Sequence, residues 1–371
     1  MPLRILHVLV SLDAGGMENG VVNVASALSP SEFRLHAVCL SRGGEFVHRF
    51  PNPADVRILR KHEGFSLSTV WALSHHIRTL APDVIHTHNL GPLLYTVLAA
   101  PSVPILHGEH AQLNSRELIP HRLLIRRLLY LRANRVHTVS HSLRDSLVRQ
   151  GFRAAKIDVI VNGVDTTRFQ PRLRDAARRA AGLPLNACIL GLVGRFGPYK
   201  RHIELIQAFE QIAPAHPTLA LLFIGGGGDL EAATRARAAS SPYSGRIHFA
   251  GFQPDPAPWY PVLDLLVLPS INEGLSNALI ESMASGIPAL AHTACGNSEV
   301  IEDSVNGYLR DLSTPARLHA ALASVLANPN PSLGKVARTT IDTRFTFPAM
   351  VAGYQSLYHQ LAHTRPTSAP P

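Results

Sequence analysis

The chain comprises 371 residues, long enough for two domains, and its 46% hydrophobic and 16% charged content supplies an ample core and excludes a disordered protein. Cys39, Cys188 and Cys295 lie far apart with no metal-ligand spacing, which argues against a disulfide framework and fits a reducing, cytoplasmic compartment. The net charge of +9 sits mainly in residues 1–168, which hold 19 Lys and Arg against 12 Asp and Glu, whereas residues 169–371 hold 16 against 14; a basic first half suits an acidic ligand or a membrane surface, while 6% aromatic content and no recognisable module argue against nucleic acid.

In chain order, apolar runs at 5–10, 35–40, 84–86, 105–106, 135–139 and 157–161 read as short buried strands. Helix-length segments at 20–28, 68–80 and 142–150 separate them. The first run is too short for a signal-peptide core and leads into a Gly-Gly turn, so it reads as a strand. The longest uncharged stretch, 90–106, is interrupted by Pro92, Pro101 and Pro104, and no membrane-spanning helix is expected. The alternation restarts with strands at 188–193, 219–224, 247–249, 263–268 and 288–291 and a helix at 203–212. Such alternation implies parallel sheets covered by helices. The irregular, then Arg/Ala-rich segment 163–184 marks the junction between the two series. A last helix is expected at 350–363, after the Phe347-Pro348 pair, and residues 364–371 have the composition of a frayed tail.

Several loops that follow strands carry chemistry. Gly15 and Gly16 open the first helix, where glycines let backbone approach a ligand, although the G-x-G-x-x-G spacing of dinucleotide turns is absent. His107-Gly108-Glu109-His110 follows another strand; a His-x-x-His half-site lacks a third ligand at a supporting spacing, and hydrogen bonding to sugar hydroxyls or proton handling competes with a structural role. Residues 116–135 hold six arginines among leucines and isoleucines, from Arg116 to Arg135. They read either as a helix resting its basic face on anionic lipid or as an ordinary helix with a buried apolar side and a solvated arginine side. Arg195 and Lys200 share one loop and could clamp a diphosphate, a guanidinium forking onto oxygens while a lysine adds a point charge.

The most informative stretch is Pro269 to Glu281, PSINEGLSNALIE, in which Glu273 and Glu281 are spaced E-x7-E. A β-prone run precedes it and a helix-prone run follows. Glu273 is thus expected in the loop at the carboxyl end of a strand and Glu281 on the helix, with the amides of Gly274, Leu275 and Ser276 facing a crevice suited to phosphate. A structural pair of surface glutamates would share the same spacing.

These motifs together resemble the family 4 retaining glycosyltransferases from Arg4 to about Tyr358: Gly15-Gly16 with Glu18, the Arg195 and Lys200 pair, E-x7-E at Glu273 and Glu281, and Asn162-Gly163-Val164-Asp165 followed by Phe169. The GGMENG and HGEH strings are similar to sugar transferases encoded with exopolysaccharide systems in Gram-negative bacteria, although HGEHAQ stands where that branch has HGEHGR. The resemblance implies an α/β GT-B fold: two Rossmann-like domains, 1–168 and 169–347, whose parallel sheets face across a cleft, with a helix at 348–363 packing back on the first. It implies that Glu281 binds ribose, that Glu273 and His107 bind the donor sugar, and that Arg195 and Lys200, helped by amides of Gly16, Gly274 and Leu275, stabilise the leaving diphosphate. Backbone around Phe252 would read the base, and Glu109 or His110 would face the acceptor. Arg195, Lys200, Glu273 and His107 are then the catalytic set.

The expected activity is retaining transfer of a sugar from a nucleoside-diphosphate sugar to a glycan or lipid-linked glycan. With no Asp-x-Asp in the chain, no metal site and no cofactor is expected. A non-catalytic nucleotide-sugar binder and a sugar-nucleotide epimerase of the same fold are the alternatives; a Rossmann oxidoreductase is disfavoured by the missing G-x-G-x-x-G.

Overall fold

A computed structural model describes residues 1–100, 102–294 and 296–363. The expected frayed tail at 364–371 lies outside the described residues, as do Pro101 and Cys295. The chain separates into two compact units, one of Met1–Val161 joined by the chain from Pro348 onward, the other Asn162–Phe347. The division thus falls at 161/162, against an expected 168/169.

The first unit holds a seven-stranded sheet of β1 (Leu3–Leu9), β2 (Phe33–Cys39), β3 (Val56–Ile58), β4 (Val84–His88), β5 (Ile105–Glu109), β6 (Arg135–Thr138) and β7 (Ile157–Val159), in the order β3-β2-β1-β4-β5-β6-β7. Every pairing is parallel. Strands buried on both faces read as unbroken apolar runs, which is how most of these announce themselves. β3 is a three-residue edge strand, Val-Arg-Ile, and carries no such run. The helices between start where hydroxyls cap them: Ser66 accepts from the Thr69 amide ahead of Leu67–Leu80, and Ser140 from the Leu143 amide ahead of His141–Arg149. A helix at Leu90–Ala99 falls inside the proline-interrupted stretch; Pro92 is its third residue, in the first turn, where a missing amide hydrogen has no consequence.

The second unit repeats the plan with β8 (Cys188–Val193), β9 (Leu219–Ile224), β10 (Ile247–Gly251), β11 (Leu265–Leu268), β12 (Ala289–His292) and β13 (Tyr308–Arg310), ordered β10-β9-β8-β11-β12-β13 and again wholly parallel. Its core joins Leu190, Leu192, Phe209, Phe223, Val267 and Leu290. The helix Arg174–Ala181 forms in the Arg/Ala-rich junction and buries Arg178 completely. That guanidinium donates to the carbonyls of Val262 (3.0 Å), Leu185 (2.9 Å) and Ala187 (2.8 Å) and to Asp264 (2.6 Å), so one side chain ties the entry of β8 to the entry of β11.

The final helix, Phe347–His363, begins on the Phe-Pro pair itself, since proline is at home in a first turn. It turns Met350, Tyr354, Leu357, Tyr358 and Leu361 inward at helical spacing. Tyr358 is fully buried, with its hydroxyl 2.8 Å from His86 Nδ1 on β4.

His202, the first residue of the helix His202–Ile212, packs its ring on Phe196 (4.4 Å between centroids) and Phe223 (5.3 Å), and neither ring nitrogen finds a partner among the described residues. Burial, reinforced by Lys200, lowers its pKa to about 3. The unfolded chain therefore takes up the proton first. The contribution of neutral His202 to stability is present in full above pH 6.5 and is lost as the pH falls towards 3, by up to about 1.4 kcal/mol per pH unit. We expect His202→Phe to remove that slope: in urea unfolding the variant should gain about 2 kcal/mol on the wild type between pH 6.5 and pH 5. Parallel acid sensitivity of the two proteins would contradict this.

Candidate functional site

In the second sheet the chain leaves β8 for β9 on one side, while β11 pairs with β8 on the other. Loops after β8 and β11 therefore lie side by side at the carboxyl edge and diverge, which is where open α/β sheets bind ligands. Gly194 follows β8 with φ +149, a conformation that disfavours any side chain, and an added Cβ would lie 3.1 Å from Lys200 Cε. Phe196 plugs into the core and leaves Arg195 exposed beside it. A short turn, Pro198–Lys200, follows, and Arg201 takes a left-handed conformation (φ 62) that starts the next helix. Arg201 is itself buried, donating to the Leu312 carbonyl.

The loop after β11 meets this turn. Ile271 N donates to the Tyr199 carbonyl (3.2 Å), and Lys200 Nζ donates to the Glu273 carboxylate. Both partners of that ion pair are partly exposed. Gly274, Leu275 and Ser276 are buried, and Ser276 precedes the helix Asn277–Ala284 without a side-chain cap. Asn162 holds the loop from beneath, its amide reaching the Leu275 carbonyl and Asn277 Oδ1, both at 3.1 Å. Glu281 lies on that helix, nearly buried, and accepts from the Tyr260 hydroxyl at 2.6 Å. Burial pushes its carboxyl up, opposed by the Tyr260 bond. Phe252 is exposed just past β10, against Gly226: a Cβ on that glycine would sit 3.0 Å from Phe252 Cβ. One edge of this unit thus gathers a guanidinium, an ammonium, two carboxylates and an aromatic ring. Tyr260 escaped sequence reasoning, since no motif spacing links it to Glu281.

In the first unit, Gly15 caps the helix Gly16–Ala27 in an extended conformation, and the Ala14 amide donates to Glu45 (2.9 Å). The HGEH string is divided by the pleat of β5. His107 and Glu109 point to one face of the sheet. His107 is wholly buried, Nδ1 on Thr87 (2.9 Å) and Nε2 on Tyr130 (3.2 Å), so both ring nitrogens are engaged. Glu109, also buried, accepts from Arg126 and from the Tyr130 hydroxyl, and Arg126 continues to Glu117. Both His107, expected at the donor sugar, and Glu109, expected at the acceptor, thus have internal hydrogen-bond partners. His110 is half-buried on the opposite face, with Nε2 3.0 Å from His88 Nδ1. There it joins His7, His86, His88 and His137, residues that sequence reasoning did not group because each strand supplies only one or two.

The segment 116–135 forms the helix Pro120–Arg132, which buries Leu129 and Tyr130 and leaves Arg122, Arg127 and Arg132 solvated, as in the ordinary-helix reading, but departs from it in two respects. Arg126 points inward. Leu124 (55% exposed), Ile125 (50%), Leu128 (55%) and Leu131 (45%) point outward, beside exposed Arg122 and Arg132. Among the described residues no helix is long and apolar enough to cross a membrane.

Residues 14–168 match the family profile described as Glycosyltransferase Family 4, and residues 174–340 that described as Glycosyl transferases group 1. A D-inositol 3-phosphate glycosyltransferase of Segniliparus rotundus is 31% identical over 210 residues, 55% of this chain and 46% of that protein. One of Corynebacterium kroppenstedtii is 26% identical over 322 residues, 83% and 68% respectively. For the first of these, as for one of Acidothermus cellulolyticus at 51%, the match spans about half the relative's length. Among solved structures, Anabaena HepE in complex with UDP and glucose aligns with a TM-score of 0.83 at 20% identity, over 96% of this chain and 99% of that one. Sucrose-phosphate synthase of Thermosynechococcus elongatus aligns with 0.80 at 22% identity, over 97% and 99%. Such likenesses carry the fold, two Rossmann-like domains of the GT-B class. With both halves of the sequence matching glycosyltransferase profiles over that fold, the chain belongs to the family 4 glycosyltransferases.

Proposed function

We propose that the protein moves a sugar from a nucleoside-diphosphate sugar to a hydroxyl of a glycan or lipid-linked glycan, with retention at the anomeric carbon, in the synthesis of exopolysaccharide or another cell-surface polysaccharide. The observation that carries this reading is the Lys200–Glu273 contact at the carboxyl edge between β8 and β11, with Arg195 exposed in the same loop. HepE, of the same fold, is described with UDP and glucose, which supports a uridine diphosphate donor. The D-inositol 3-phosphate named for the sequence relatives makes a phosphorylated cyclitol an acceptor to be assayed beside glycans.

In this reading the donor's diphosphate draws Lys200 from Glu273 and sits between that ammonium and Arg195, freeing the carboxylate for sugar hydroxyls. Glu281, oriented by Tyr260, takes the ribose. As the bond from the anomeric carbon to the phosphate oxygen breaks, charge grows on the diphosphate, and preorganised cations and amides aimed there lower the barrier. The acceptor hydroxyl attacks the same face and its proton passes to the departing phosphate oxygen. No metal is required at the donor if these groups neutralise the charge. Neither glutamate acts as the attacking carboxylate of a retaining hydrolase.

The test is a panel of nucleotide sugars followed for transfer and for slow donor hydrolysis. Lys200→Ala should lower kcat/KM by about 10²–10³-fold with the fold intact by circular dichroism. Full activity in that variant would remove the clamp from the mechanism, a covalent sugar trapped on Glu273 would replace same-face attack, and tight binding without turnover would make the protein a binder.

The outward leucines of Pro120–Arg132, flanked by arginines, support a peripheral contact with the anionic cytoplasmic face of a membrane, where a lipid-linked acceptor resides. Co-sedimentation with phosphatidylcholine vesicles should rise when phosphatidylglycerol is included. The combined change Leu124→Ser, Ile125→Ser, Leu128→Ser should weaken it more than about tenfold, since burying each such side chain contributes about 1.5–3 kcal/mol. Unchanged binding by that variant, or none to either vesicle, would refute the contact.

A further inference from the structure

The first sheet carries a row of imidazoles that the proposed transfer does not use. His7 on β1 is the register partner of His86 on β4, and His88, two residues on, shares the same face. Next to His88 the partner on β5 is Gly108, and next to that is His137 on β6. Gly108 opens a gap in the row: a Cβ there would stand 2.6 Å from His137 Nε2 and 2.7 Å from His110 Nε2, so the two rings fill the space it leaves. His7, His86, His88 and His137 are all buried to about 1% exposure or less. Tyr354 and Tyr358 of the final helix cover them, with rings 5.1 Å from His137 and 5.8 Å from His86 respectively.

The contacts within this cluster join nitrogen to nitrogen. His7 Nδ1 lies 3.0 Å from His88 Nε2, His88 Nδ1 3.0 Å from His110 Nε2, and His86 Nε2 2.9 Å from His137 Nε2. A neutral imidazole has one proton for two nitrogens, and here the arrangement leaves His7 Nε2 and His137 Nδ1 buried with no partner among the described residues. An orphaned buried polar atom costs about 1–3 kcal/mol and calls for an explanation.

We propose that His7, His86 and His88 bind one divalent transition-metal ion of the zinc class, with His137 adjacent as a fourth imidazole. One ring nitrogen from each of the three lies within 4.8 Å of the others. A tetrahedral ion with bonds of about 2.0–2.1 Å needs its nitrogens about 3.3 Å apart, so the set is a slightly open form of such a site on three strands of one sheet. With no carboxylate or thiolate among the set, calcium and magnesium are disfavoured and borderline ions favoured. Second partners are in place: with Nε2 on the ion, His88 Nδ1–H donates to His110 and His86 Nδ1–H to the Tyr358 hydroxyl, the outer bonds that fix imidazole ligands. Such an ion braces the first unit from within and stands apart from the sugar transfer.

The test uses the full chain without a histidine tag, produced and refolded with zinc and passed over a desalting column. Mass spectrometry of the metal content should find about one zinc per chain, and X-ray absorption should find three or four imidazole nitrogens at about 2.0–2.1 Å. His88→Gln, which keeps a hydrogen-bonding amide, should retain native circular dichroism and fall below about a tenth of the wild-type content. Wild-type protein that folds with no zinc, content unchanged in His88→Gln, or a shell with two imidazoles or fewer would each overturn the proposal. Should the variant not fold, the absorption spectrum of the wild type decides alone.

Discussion

Seventy-three residues separate Lys200 from Glu273, and the parallel pairing of β8 with β11 brings them together. The rest of the donor edge depends on that pairing, because strand order reverses there and successive loops turn away from each other. A partly exposed ion pair contributes little to stability, about 0–1 kcal/mol. Its significance is positional: an ammonium is held ready where a ligand with more negative charge than one carboxylate can claim it. The surrounding rigidity comes from groups that bind no ligand, with Arg178 fastening the entries of both strands and Asn162 holding the loop that carries Glu273.

The first unit treats charge the opposite way. Its sheet interior holds uncharged imidazoles, and its one deeply set guanidinium on the Pro120–Arg132 helix, Arg126, is surrounded by Glu109, Glu117 and Tyr130. Burying such an ion is costly unless its donors are matched, and here two carboxylates and a phenol converge on it. Leu129 and Tyr130 pack inward beside it, while Leu124, Ile125, Leu128 and Leu131 remain outside with Arg122, Arg127 and Arg132.

How much of this was readable in the sequence follows from what each signal encodes. The strands β1, β2, β8 and β9 stand out because strands buried on both faces must be continuous apolar runs, whereas β3 and β13 have three residues each and leave no run to see. The E-x7-E spacing placed Glu273 in a loop and Glu281 on a helix because strand, loop and helix propensities change sharply around it. Periodicity along 116–135 identified a two-faced helix but not that Arg126 turns inward, since its partner Glu109 is distant in sequence. The pleat that separates His107 from Gly108 is local, yet a motif read as a string hides it. The histidine row needs three strands in register, and register is a property of the folded sheet. Tyr260, similarly, meets Glu281 only in the fold.

The first unit is discontinuous: Tyr354 and Tyr358, which close over His86 and His137, are made almost two hundred residues after β7. On a ribosome working at about 5–20 residues per second, roughly 10–40 s pass between the emergence of the seven strands and that of the helix that covers them. Through that interval the face bearing the histidines is open to water, to protons and to any cation in the surroundings. The second unit, whose residues are contiguous, can complete itself first. A chain ending at residue 347 would carry every residue of the second unit and a first unit still lacking its lid.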